Sequence, residues 1–165
     1  MRVTAVLLAA GQGTRMKSNL PKVLHPVAGK PMIWHALEAI SQSTTEKPIV
    51  VVGHGADEVT KYLGDFAQTV LQEPQLGTGH AVLQARERFE NYTGAILILC
   101  GDVPLLRSST LRSLWACHRK EKTAVTVLTT VLANSTGYGR IVKGPDGKVS
   151  RIVEERDATE AEKKI

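Results

Sequence analysis

A chain of 165 residues, 42% of them hydrophobic, can close one core, and its net charge of +5 raises the question of a polyanionic partner. The basic residues are scattered and aromatics make up only 4%, too few stacking platforms for a nucleic-acid binder, so no nucleic acid is expected and the charge suits a phosphate-rich small ligand. No apolar stretch reaches the roughly 20 residues that span a bilayer, and no signal-peptide pattern opens the chain, so a cytoplasmic protein without membrane association is expected.

From Val6 the run V-L-L-A-A (Val6, Leu7, Leu8, Ala9, Ala10) has neither a helical nor an alternating period. A strand buried on both faces of a parallel sheet reads this way. It breaks at Gly11-Gln12-Gly13, where the missing Cβ atoms let the backbone turn its N–H groups together toward an anion. Arg15 and Lys22 add fixed positive charge to the same loop, and Pro21 stiffens the approach to Lys22. The loop reads as a polyphosphate cradle, although a bare Gly-x-Gly is as readily an ordinary turn. A dinucleotide fingerprint fails, because its third small position is Met16. A nucleoside-triphosphatase loop fails too, since Gly29-Lys30 is followed by Pro31 and Gly147-Lys148 by Val149, not by Ser or Thr.

Pro31 fits the first turn of a helix whose Ile33, Leu37 and Ile40 recur at helical spacing. His35 falls on it with no partner one turn away and reads as an ordinary satisfied histidine. Ile49 to Val52 is a second buried strand, followed by a helix with Asp57 and Glu58 in its first turn and a buried stripe of Val59, Leu63 and Phe66. Thr69 to Leu71 makes a third strand and runs into Gln72-Glu73-Pro74-Gln75-Leu76-Gly77-Thr78-Gly79-His80. Such a loop can lie along the edge of a planar base, with the Gln72 amide donating and accepting at once, Gly77 allowing close approach and Thr78 capping the next helix. Taken alone, it is equally a strand-to-helix loop with an N-cap.

Val82, Ala85 and Phe89 give that helix its buried face, and Ala95 to Cys100, the most apolar strand, belongs at the centre of the sheet. Asp102 follows it at a carboxyl strand end, where open α/β sheets bind ligands, and offers one hard oxygen donor suited to Mg²⁺. A capping aspartate in a tight turn is the plain alternative. Ser108 to Lys120 is a helix with Leu111, Leu114, Trp115 and His118 on one face, and Trp115 reads as core. Cys100 and Cys117 have no metal-ligand spacing and read as buried, reduced thiols. Ala124 to Leu132 reads as a long strand, and residues 137–153 as a β-hairpin around Pro145-Asp146-Gly147.

Leu8-Ala9-Ala10-Gly11-x-Gly13-Thr14-Arg15-Met16 followed by Pro21-Lys22-Val23-Leu24 closely resembles the opening signature of the sugar-phosphate nucleotidylyltransferases. With Leu71-Gln72…Gly77-Thr78-Gly79-His80-Ala81, Gly101-Asp102-Val103-Pro104, Thr136-Gly137-Tyr138-Gly139-Arg140 and Ile152-Val153-Glu154, the likeness covers essentially the whole chain. It is similar to the pyrophosphorylase domain of the bifunctional N-acetylglucosamine-1-phosphate uridyltransferase/glucosamine-1-phosphate acetyltransferase family. That resemblance implies an α/β fold, a Rossmann-like, open, mainly parallel sheet with helices on both faces and a β-hairpin near the C-terminus. UTP and N-acetylglucosamine 1-phosphate would be the substrates and Mg²⁺ the cofactor.

The resemblance also assigns residues. Leu8, Ala9, Ala10, Gly11, Gly13, Thr14, Lys22, Gln72, Gly77 and Thr78 would bind nucleotide, Arg15 and Lys22 would be catalytic, Gly139 and Glu154 would contact the sugar, and Asp102 would hold the metal. Cys100 stands where some relatives carry tyrosine. The chain ends at Ile165, before the family's Asn-Thr-Gly segment, its second metal-binding asparagine and its acetyltransferase β-helix. Residues 1–165 are therefore expected to be the N-terminal part of one nucleotidyltransferase domain, binding nucleotide with little turnover, its oligomeric state open. A sister thymidylyl or guanylyl enzyme and a noncatalytic nucleotide-binding module are the competing readings, and a dehydrogenase is a remote third.

Overall fold

The computed structural model describes residues 2–44 and 46–165, which fall into two units, residues 1–120 and 121–165. In the first unit the chain runs β1 (Val3–Leu8), β2 (Pro26–Val27), β3 (Lys30–Pro31), α1 (Met32–Ser41), β4 (Ile49–Val52), α2 (Ala56–Leu63), β5 (Gln68–Leu71), α3 (Thr78–Gln84), β6 (Ala95–Cys100) and α4 (Ser108–Glu121). The second holds β7 (Arg140–Lys143) and β8 (Val149–Val153).

β5, β4, β1 and β6 form one wholly parallel sheet in that order, with Val6 opposite Ile49 on one side and Ile98 on the other. Because successive side chains point to opposite faces, the apolar runs of β1 and β4 feed two cores at once. Ala5, Leu7, Val50 and Val52 pack with Ile33 and Ile40 of α1 and Val59 and Leu63 of α2. Val6, Ile49 and Val51 pack on the other face with Ala81 of α3 and Ala85 just after it. Each such side chain taken from water contributes about 1.5–3 kcal/mol, which places the rigid part of the fold at β1 and β4.

Several expectations need correction. Ala95–Cys100 is an edge strand of the described sheet, and β1 and β4 are the central ones. Ile96 and Ile98, on the α3 side of β6, stay 40% and 50% exposed, because α3 packs over β1 and β4 and does not reach them. Cys100 shares that open face and is exposed, as is Cys117 on α4, so neither residue belongs to the core. Phe66 is 81% exposed: Gly64, at φ 48°, ends α2 after Leu63 and throws the next residues off its stripe. Gly77, not Thr78, is the N-cap of α3, and no side chain caps that helix. Trp115 is only half-buried and stacks against His118, with ring centroids 5.8 Å apart. His35 does find a satisfied place, its Nε2 2.9 Å from the Val27 carbonyl.

No strand forms over residues 124–132, where Val125 and Val131 are 75% and 99% exposed. A β-prone run becomes a strand only against a ladder partner, and among the described residues none pairs with this one. The hairpin is present: β7 and β8 pair antiparallel, Arg140 opposite Val153, with an irregularity at Val142/Lys143. Arg140, buried at the base of the hairpin, pairs with Glu155 at 2.8 Å and donates to the carbonyls of Tyr138 and Lys163.

A Thr-x-x-Glu capping box closes this unit. The Glu162 carboxylate accepts from the Thr159 backbone N–H at 2.9 Å, and the Glu162 N–H reaches the Thr159 hydroxyl at 3.3 Å. The backbone and hydroxyl bonds from Thr159, with help from Arg151, hold the Glu162 carboxyl below the ordinary 4.5. A depressed folded-state pKa adds stability that is fully present above the unfolded value and is lost as pH falls through the folded one. Acidification from about pH 5 to pH 3 should therefore loosen the capping box, read as loss of the Thr159 and Glu162 amide resonances from their native positions while those of β1 and β4 remain.

Candidate active site

The site grows from the carboxyl ends of β1 and β6, which lie side by side with Leu8 opposite Cys100. Past Leu8 the backbone is held in place: Ala9 N–H donates to Val51 O at 2.8 Å, His54 N–H to Ala10 O at 3.2 Å, and Gly101 N–H to Leu8 O at 2.8 Å. Gly11 to Leu20 then run along the surface, with Gly13 at φ 62° leading into a short 3-10 turn over Thr14–Met16. Leu8, Ala9, Ala10, Gly11, Gly13, Thr14, Arg15 and Lys22 from this stretch, Gln72, Gly77 and Thr78 from the β5–α3 loop, and Asp102 after β6 line one cavity of about 700 Å³. That size is ordinary for a small-molecule site. Gln75 and Ala81 line it as well. Neither stood out in the sequence, since a glutamine inside a loop and an alanine on a helix carry no local signal.

Lys22 Nζ sits 2.5 Å from Asp102 Oδ2 across 80 positions of sequence, their side chains 28% and 36% exposed. The base of the phosphate loop and the end of β6 thus meet on a charge pair. Cys100 lies beside it, its thiol pushed above the ordinary 9.0 by partial burial and the Asp102 charge, with Lys22 opposing. Among the described residues no group of three His, Cys, Asp or Glu could enclose a metal. The single Asp102 carboxylate fits a hard cation that keeps water and phosphate oxygens as its other ligands, such as Mg²⁺.

Gly13 is needed for its left-handed backbone and for room. A Cβ there would lie 2.7 Å from Lys22 Cβ, well inside contact distance. Gly13→Ala should therefore displace the Lys22 stem and cost about 1–2 kcal/mol of stability, seen as a lowered melting temperature together with weakened triphosphate binding. An unchanged melting curve and affinity would count against this packing.

Gln72 is 4% exposed, its backbone N–H bonded to Val52 O at 2.8 Å. Its side-chain nitrogen donates to the Gly77 carbonyl at 3.0 Å and lies 3.1 Å from His80 Nδ1 on α3, so the amide expected to donate and accept toward a ligand also engages its own loop and the next helix. Gly139 and Glu154 lie in the second unit, beside one another: a Cβ on Gly139 would stand 3.7 Å from Glu154 Oε2.

The chain is 52% identical over 158 residues to the bifunctional protein GlmU of Exiguobacterium sp. (strain ATCC BAA-1283 / AT1b), a match covering 96% of this chain and 35% of that protein. It thus spans about a third of the length of the curated relatives it matches. A structure of UDP-glucose pyrophosphorylase complexed with UDP-glucose superposes with TM-score 0.75 at 21% identity, covering 94% of this chain and 69% of that one. A putative glucose-1-phosphate thymidylyltransferase from Bacillus anthracis superposes with TM-score 0.79 at 20% identity, covering 93% and 64%. These two show the shared fold. Residues 5–136, which carry the whole cavity, match the MobA-like NTP transferase domain family, and the chain belongs to that family of nucleotidyltransferases.

Proposed function

We propose that this chain carries the nucleotide-binding half of a uridylyltransferase site, one that joins UTP to N-acetylglucosamine 1-phosphate, forming UDP-N-acetylglucosamine for cell-wall and lipopolysaccharide precursors. The observation that carries the reading is the single cavity on which the glycine loop, Lys22, the Gln72–Thr78 loop and Asp102 converge. In the reaction a phosphate oxygen of the sugar phosphate bonds to the α-phosphorus of UTP as the bond to the β-phosphate oxygen breaks, and pyrophosphate leaves. Such an in-line displacement needs alignment and charge neutralisation more than a base.

The backbone N–H groups of Gly11 to Thr14, with Arg15, would hold the β- and γ-phosphates, where leaving-group charge grows. Leu8, Ala9 and Ala10 would pack along the nucleotide. Lys22 would leave Asp102 for the α-phosphoryl oxygens as these enter, exchanging one anion for another. Asp102 would hold Mg²⁺, which supplies neutralising charge to the phosphates when bound. Gln72, Gly77 and Thr78 would meet the uracil, and Gly139 and Glu154 the sugar hydroxyls.

We further propose that residues 1–165 belong to a single nucleotidyltransferase domain, in keeping with a family match that runs through the junction between the two units. The described residues include no helix long and apolar enough to cross a membrane, which is compatible with a cytoplasmic enzyme.

Calorimetric titration with UTP, GTP, dTTP and NAD, each with and without Mg²⁺, tests the reading. Preferential UTP binding strengthened by Mg²⁺ supports it. Equal binding of all triphosphates reduces the site to a phosphate loop, a dTTP preference moves it to a thymidylyl enzyme, and NAD binding alone overturns it.

A further inference from the structure

We infer that His80 is a positioning residue for base selection: by accepting at Nδ1 from the Gln72 amide, it leaves Gln72 Oε1 as the only side-chain group Gln72 can offer a base. The inference rests on the uridylyl reading of this cavity and deepens it. Its starting point is a count of hydrogens. A primary amide has two N–H donors and one carbonyl acceptor. The Gly77 carbonyl can only accept, so the Gln72 atom 3.0 Å from it is the nitrogen, and one donor is spent. The same nitrogen lies 3.1 Å from His80 Nδ1, and the second donor is spent there provided that Nδ1 carries no proton.

The far side of the ring offers a competing arrangement. Gln84 Nε2 lies 3.1 Å from His80 Nε2 and 3.1 Å from the His80 carbonyl. A neutral imidazole cannot accept at both nitrogens, so one of the two amides must give way. Gln72 is buried, and turning it over would set its carbonyl oxygen against that of Gly77. Gln84 is half-exposed and can swing its whole amide out to water, giving up the His80 carbonyl as well as the ring, at a smaller cost than a buried amide would meet. The ring therefore carries its proton on Nε2 and accepts at Nδ1. The Gly77 carbonyl is held to its task by φ 100° and by a second bond, from Ala81 N–H at 3.0 Å, so the whole network is anchored on the first turn of α3.

What remains of the Gln72 side chain is Oε1, which takes no hydrogen bond among the described residues, on a side chain that lines the cavity. An acceptor at that point suits a base whose ring nitrogen bears a proton, as N3 of uracil and thymine does. Cytosine presents an unprotonated N3 and would bring lone pair against lone pair. With N3 set opposite Oε1 the network thus favours the imide bases over cytosine, whose 4-amino donor lies one position away, while the choice between uracil and thymine is left to other parts of the cavity.

The test is the ratio of CTP to UTP dissociation constants, measured by titration of the full chain with Mg²⁺ and with tripolyphosphate as a reference that touches only the phosphate loop. The wild type should prefer UTP by at least about tenfold, a hydrogen-bond-sized difference. His80→Phe keeps an aromatic ring and removes the acceptor, freeing the second Gln72 N–H to be offered to cytosine N3, and should bring the ratio to within about threefold with tripolyphosphate binding unchanged. His80→Asn puts Oδ1 where Nδ1 stood and should restore the preference. A merely structural role would weaken both nucleotides alike and leave the ratio unmoved, so an unchanged ratio in His80→Phe overturns the inference. A wild type that binds UTP and CTP equally overturns the uridylyl reading, and this inference with it. If His80→Phe does not fold, nitrogen chemical shifts of the wild-type ring decide: Nδ1 unprotonated and Nε2 protonated is expected, and a proton on Nδ1 overturns it.

Discussion

In a protein that carries the whole of the proposed uridylyltransferase domain, Lys22→Ala should lower nucleotidyl transfer by on the order of 10²- to 10³-fold while leaving the fold nearly as stable as before. Two facts separate these effects. The ammonium belongs to a side chain lining the cavity, 2.5 Å from the Asp102 carboxylate, from which it could pass to an incoming phosphoryl group. Both side chains are also about a third exposed, 28% and 36%, and a pair so open to water contributes only about 0–1 kcal/mol to stability. The loss therefore belongs in turnover of that whole domain, measured as pyrophosphate released from the proposed substrates, UTP and N-acetylglucosamine 1-phosphate, and not in the melting curve. Lys22→Arg should recover little, because a planar fork does not replace a compact point charge where one phosphoryl oxygen must be met. A near-normal rate for Lys22→Ala would remove Lys22 from the chemistry.

Leu7→Ala should cost about 3–4 kcal/mol, a large share of the 5–15 kcal/mol by which domains are ordinarily stable. Leu7 is fully buried in the middle of β1, walled by β4 and β6 within the sheet and by α1 and α2 above it. No neighbour can move in without breaking a ladder, so the cavity stays open. Ile98→Ala, one strand over on the uncovered face of β6, should cost less than about 1 kcal/mol, since that side chain is already 50% exposed. Urea unfolding of the two variants beside the wild type reads the difference. Equal losses would mean that β6 is as fully enclosed as β1.

That contrast shows where sequence and structure part. V-L-L-A-A and A-I-L-I-L-C are both continuous apolar runs, the second the more apolar, and apolarity says that a strand can be covered on both faces without saying that it is. Which strand lies inside is set by neighbours far away in sequence: β4 and α3 cover β1, while the described residues offer the outer side of β6 no strand. The same limit explains residues 124–132. Their Val and Thr content is a β propensity, but a strand is a pairing, and the partner was never a local property. Phe66 fits the helical spacing of α2, yet Gly64 stops the helix first, a signal that was present in the sequence and was outweighed by periodicity.

The candidate site divides along the same line. The glycine loop, Lys22, the Gln72–Thr78 loop and Asp102 were legible because each is a chemical type placed at a break after a strand, and parallel strands deliver all such breaks to one end of the sheet. Residue types and their order along the chain therefore sufficed to pick out parts that line one cavity, while the roles proposed for them came from the family resemblance. What only the tertiary structure decided is how those parts engage one another. Lys22 rests on Asp102, and the Gln72 amide nitrogen donates to the Gly77 carbonyl and lies against the His80 ring, so that its oxygen is the group left over. Hydrogen bonds and ion pairs are made between atoms about 3 Å apart, and a sequence lists the groups without the distances.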